Sequence, residues 1–129
     1  MLEEIIKELE EDLKINELNL KDYQLRLPAI KHKWAGRLIR TRMNINNLKK
    51  QRDAAKNEVM SEIKATSPVQ LTSPVISSTA DKHSKIQDYT NKIQEAELIV
   101  ELLEKSEKIL GSATFDIKNL IEIMKLEMT

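Results

Sequence analysis

Leu2, Ile5, Ile6, Leu9 and Leu13 recur at the i, i+3, i+4, i+7 and i+11 spacing of one helical face, and Glu3, Glu4, Glu8, Glu10, Glu11 and Asp12 fill the other. The pattern predicts a first helix over about residues 2–14, its early acids favoured by the helix dipole. Residues 15–27 read as a connection with some helical character. Leu27-Pro28 marks its end, because proline suits a first helical turn and biases its predecessor away from the α region. From Pro28 to about Lys64 the apolar positions Ile30, Trp34, Leu38, Thr41, Ile45, Leu48, Ala55, Val59 and Ile63 alternate mostly in steps of three and four. This is a heptad seam with Arg52 as its one odd member, and the helix it predicts is roughly 55 Å long at 1.5 Å per residue.

The pattern then breaks. Thr66-Ser67-Pro68-Val69 and Thr72-Ser73-Pro74-Val75 lie in a Ser/Thr/Pro-rich stretch, 65–81, expected to be a connecting loop. Ile86, Tyr89, Ile93, Ala96, Val100, Leu103 and Leu110 predict a third helix over about 82–110, which Gly111 is placed to end in the left-handed conformation. Ser112 or Thr114 can cap a fourth, carried by Ile117, Leu120, Ile121, Met124 and Met128. The expected architecture is therefore all-α: one domain over 1–129, four helices of unequal length, and a linker at about 65–81. The long second helix has no partner of its own length in this scheme. Its bare seam calls for a homo-oligomeric helical bundle.

Composition narrows the field. Aromatics are 3% of 129 residues, with two glycines and three prolines, too few for a β-sandwich or a glycine-rich nucleotide loop. There is no cysteine, so thiolate chemistry, disulfides and cysteine zinc sites are excluded. No apolar run approaches the ~18 residues that span a bilayer, and Met1-Leu2-Glu3-Glu4 has the wrong charge to open a signal peptide. A soluble, cytoplasmic protein is expected.

The net charge of zero conceals a strong segregation: residues 1–20 carry −5, residues 21–56 carry +9, 57–80 carry −1 and 81–129 carry −3. At 100° per residue, Lys31, Arg42, Lys49 and Lys56 project within about 40° of one another, while Lys33, Arg37 and Arg40 form a second stripe on the opposite side. Regularly spaced cations on a long helix suit a phosphate backbone. They equally suit a solvated surface, or pairing with an acidic helix. Trp34, amid these bases, either stacks on an exposed nucleobase or packs in the core; its place on the seam favours the core. His32 and His83 have no metal-ligand spacing, Glu101 and Glu104 have no convergent partner, and no Ser-His-Asp arrangement is suggested. Neither an enzyme, a metal site nor a cofactor is expected.

Three blocks taken together are similar to a known family: LEEIIKELEEDLKI at the start, LPAIKHKWAGRL opening the basic helix, and ELLEKSEKILGSATFDIKNLIEIMKLE near the end. Their order and spacing resemble the UvsY recombination mediators of tailed phages over nearly the whole chain except the Ser/Thr/Pro stretch. The resemblance implies a non-enzymatic protein that forms a ring-like hexamer or heptamer and binds single-stranded DNA. It further implies loading of a RecA-like phage recombinase in place of the single-strand binding protein, in the cytoplasm of an infected cell. The family's DNA-binding cluster lies near the end of the long helix. Lys56 matches its lysine, whereas Glu58 stands where a second base is expected and Val59, Met60 and Ser61 replace an aromatic region. DNA contact in this chain then falls to Lys49, Lys50, Arg52 and the earlier bases Lys31, Lys33, Arg37, Arg40 and Arg42, with Lys56 beside them. The competing expectation is a structural or adaptor coiled coil with no nucleic-acid role, which explains the heptads and the zero net charge but not the clustering of bases.

Overall fold

The computed structural model describes residues 1–15 and 18–128. Among these residues the structure is all-helical: α1 (Leu2–Leu13), α2 (Leu20–Thr66), α3 (Ser73–Asp81) and α4 (Ser84–Met128). The helix count is the expected one, but three boundaries differ. α2 begins eight residues before Pro28, which lies inside the helix. Of the expected connection at 15–27, Asn16 and Glu17 lie outside the described residues, and the part from Leu20 onward is helical. Pro28 has no N–H for the Gln24 carbonyl, a loss of about 3 kcal/mol in a helix interior. It stands on the exposed face, where water can meet that carbonyl. Tyr23 and Leu27 on one side of it, and Ile30 and Trp34 on the other, are all buried. At about 1.5–3 kcal/mol each, their burial outweighs the local cost.

The second correction concerns 65–81. α2 runs to Thr66, and a nine-residue helix, α3, occupies the second half of the stretch. Thr72 is its N-cap, and Pro74 sits in the first turn, where its missing N–H would have no helical acceptor anyway. Ile76 and Ala80 are its buried positions. A turn follows, in which the His83 Nδ1 accepts the Lys85 amide at 3.2 Å and so caps α4.

The third correction is Gly111. No residue among those described has a positive φ, and α4 passes through Gly111 without interruption. The expected third and fourth helices are one helix of 45 residues, which nearly equals the 47 of α2.

The chain forms two compact units. The first comprises Met1–Arg40 and Leu98–Thr129. Here Leu9 of α1 packs with Tyr23, Leu27, Ile30, Trp34 and Leu38 of α2 and with Ile99, Leu103, Leu110, Ala113 and Ile117 of α4. Ser106, the buried polar residue of this core, donates its hydroxyl to the Leu102 carbonyl one turn back at 2.8 Å. The second unit is Thr41–Glu97. In it Ala55 and Val59 of α2, Ala80 of α3 and Ile86 of α4 form the core, with Met60, Ile63 and Tyr89 at its margin. Contacts of Lys49 with Glu97 and of Glu58 with Lys85 show that α2 and α4 run antiparallel there.

Candidate nucleic-acid interface

The two basic stripes meet different surroundings. In the first unit α1 lies antiparallel to the start of α2, so that Glu8 faces Arg37 and Asp12 faces Lys33. The Lys33 ammonium is 2.8 Å from both carboxylates. The Arg37 guanidinium holds Glu8 through both terminal nitrogens, the fork geometry that strengthens such pairs. Asp12 also accepts the Trp34 indole N–H at 2.8 Å. The indole is only 2% exposed, with the Arg37 and Lys33 cations 4.7 and 5.0 Å from its ring centre. Buried under this cover, the ring presents no open face on which a base could stack.

The ionisation of these groups follows the geometry. Hydrogen bonds from Arg37, then from Lys33, hold the Glu8 carboxyl below its ordinary range. Partial burial pulls the Lys33 ammonium down, but the contacts with Asp12 and Glu8 together outweigh it and the net displacement is upward. Burial, reinforced by the negative charges of Asp12 and Asp116, pushes the Tyr23 hydroxyl up. Lys33 and Arg37 are thus already answered by carboxylates. Arg40, the third member of this stripe, is exposed, and its guanidinium reaches back over the space that a side chain at Gly36 would meet.

In the second unit Lys49, Lys50 and Arg52 of α2 are less committed. Lys50 is exposed and has no ion pair among the described residues. Lys49 is 3.9 Å from Glu97, and Arg52 is 3.8 Å from its neighbour Asp53, both loose contacts. Arg52 occupies its seam position half-buried, its side chain 31% exposed. Lys56 is more firmly engaged, 2.9 Å from Asp81 at the end of α3. Arg42 is exposed. Lys31, in the first unit, is half-exposed and makes no ion pair among the described residues.

Glu8 and Asp12 are the residues that sequence reasoning does not single out. Their signal is nonetheless present: acids four apart on α1 match bases four apart on α2, Lys33 and Arg37, in opposite order.

Other chemistry is sparse. An open, mostly apolar groove of about 320 Å³ in the first unit is lined by Leu27, Ile117 and Ile121, with Gln24, Lys118 and Lys125 at its edge. Among the described residues no three His, Asp or Glu side chains gather to hold a metal ion. No helix among them is long and apolar enough to cross a membrane.

No protein-family model matches the sequence, and no curated protein does. Solved structures do match. The bacteriophage T4 recombination mediator protein UvsY is similar in two crystal lattices. In lattice type IV the TM-score is 0.82 at 13% identity, covering 98% of this chain and 98% of that one. In lattice type II it is 0.83 at 13% identity, covering 100% of this chain and 98% of that one. From end to end, this chain has the fold of UvsY.

Proposed function

We propose that this chain is a non-enzymatic recombination mediator, which binds single-stranded DNA and promotes the loading of a RecA-like recombinase in place of single-strand binding protein. The observation that carries the reading is the likeness to UvsY over the full length of both chains, a protein described as a recombination mediator. The chemistry of α2 supports it. Arg42, Lys49, Lys50 and Arg52 offer cations at helical spacing, with no aromatic residue in the α2 segment between them, so contact is chiefly to phosphate and sequence preference is slight. A weak site on each copy of a homo-oligomer, hexameric or heptameric as the family resemblance implies, gains strength by avidity.

The test is binding of a short oligothymidine over a salt series, against duplex DNA of equal length. About four phosphates neutralised per subunit give a log–log slope of roughly −3, at about −0.7 per phosphate. Replacing Lys49, Lys50 and Arg52 together by alanine flattens the slope and weakens all sequences alike. A structural coiled coil is the second reading, favoured by the carboxylates that already meet Lys33, Arg37 and Lys56. Absence of single-strand binding at low salt removes the mediator reading and leaves the structural one standing.

A further inference from the structure

We infer that α1 is an autoinhibitory latch: its Glu8 and Asp12 carboxylates stand in for phosphates on Lys33 and Arg37 and withhold these two cations from polyanionic ligands. The inference rests on the reading of the chain as a single-strand binder for the ligand's identity, but the masking itself is read from geometry.

Several features point to a latch, although Asp12 also serves the core by accepting the Trp34 N–H. The pairs to Glu8 are not sealed: the side chains of Lys33, Arg37 and Glu8 each keep about a third of their surface in water, where ion pairs add little to stability, while Asp12 is more enclosed at 18%. α1 is held to the core by other means, through buried Leu9 and the partly buried Leu2, Ile5 and Leu13. The acids also match the spacing of the bases. Glu8 and Asp12 are one turn apart, about 6 Å along the axis, as are Lys33 and Arg37 on the opposing helix. Both cations lie against the buried Trp34 ring, so they stay in place when the carboxylates are neutralised. α1 is itself a short polyanion, with six acids and one lysine in its twelve residues.

The experiment uses the full chain with two polyanion probes, a short oligothymidine and immobilised heparin. E8Q/D12N removes the latch charges while keeping, at position 12, an amide oxygen able to accept the Trp34 N–H. E3Q/E4Q makes the same change of net charge at exposed acids of the same helix that have no ion pair among the described residues. The latch predicts that E8Q/D12N binds oligothymidine on the order of tenfold more tightly at low salt. Its salt slope steepens by about 1.4, two further phosphates at about 0.7 each. It also elutes from heparin at higher salt than E3Q/E4Q does. Equal behaviour of the two variants on both probes overturns the latch. E8Q alone, with Asp12 intact, is the second variant should the double one not fold; it should show about half the change in slope, and an unchanged slope overturns the latch equally. A heparin shift specific to E8Q/D12N, with no oligothymidine binding by any variant, supports the latch and overturns the DNA reading.

Discussion

Trp34 concentrates several physical demands in one side chain. Its ring fills the core of the first unit, its N–H needs an acceptor once buried, and two cations lie against the ring. Truncation to alanine should cost about 3–5 kcal/mol in urea unfolding, the range for large core aromatics. Trp34→Phe should cost less, keeping most of the volume while leaving Asp12 with Lys33 alone. The same cluster sets a pH dependence. The Glu8 carboxyl is held below its ordinary value, so the folded state binds its proton less readily than the unfolded one. Its stabilisation is complete above the usual glutamate range, about 4.3, and is lost as pH falls through the lowered folded value. Trp34 fluorescence should report this loosening on acidification, and in E8Q that step should vanish. At this scale the sequence is partly legible. The seam places Trp34 inward and the stripe rule groups Lys33 with Arg37. What it does not show is that Asp12 and Glu8 answer them, because that pairing depends on how α1 and α2 fold together.

The elements show where local signals yield to packing. Gly111 carries the usual mark of a helix end, yet Leu110 and Ala113 on either side of it belong to one core, so a continuous helix buries more than an interrupted one. A methyl group added at Gly111 meets nothing within 4 Å, and the backbone there is helical. Gly111→Ala should therefore stabilise the protein by about 0.5–1 kcal/mol, since alanine has the higher helix propensity and loses less backbone entropy. Chemical denaturation checks the sign; a destabilised variant would mean that α4 bends at this point. Pro28 and the 65–81 stretch differ for related reasons. Proline is a strong boundary signal for an isolated segment, but Tyr23 and Leu27 bury surface ahead of it. In α3 only Ile76 and Ala80 reach the core, too few apolar positions in nine residues to stand out as a period. The long apolar periods of α2 and α4, by contrast, are readable because each is repeated over many turns.

At the scale of the whole molecule, the continuity of α4 changes the argument for self-association. The expected reason is a long α2 seam without a partner, yet Ile30, Trp34, Leu38, Ile45, Ala55 and Val59 are all buried within one chain. Val59 packs with Ala80 and Ile86, so Val59→Asp places a charge in the core of the second unit and should unfold it rather than only separate subunits. Another apolar surface is exposed. On the last third of α4, Phe115 is 70% and Leu126 75% exposed. Eleven residues apart, they project within about 20° of each other at 100° per residue, and Ile123 lies half-exposed nearby on the same helix. Exposed apolar residues grouped on one helix are rare on monomers and common where subunits meet. If the chain assembles through this face, Phe115→Ser combined with Leu126→Ser should lower the mass found by light scattering while leaving helical circular dichroism and the urea midpoint of the dissociated subunit intact, since neither side chain lies in the core. Single-strand affinity should fall with it, because a weak cationic site gains from multivalency only while copies are joined. An unchanged mass would assign the assembly to another surface, and a native chain that is monomeric at micromolar concentration would remove avidity from the mechanism altogether.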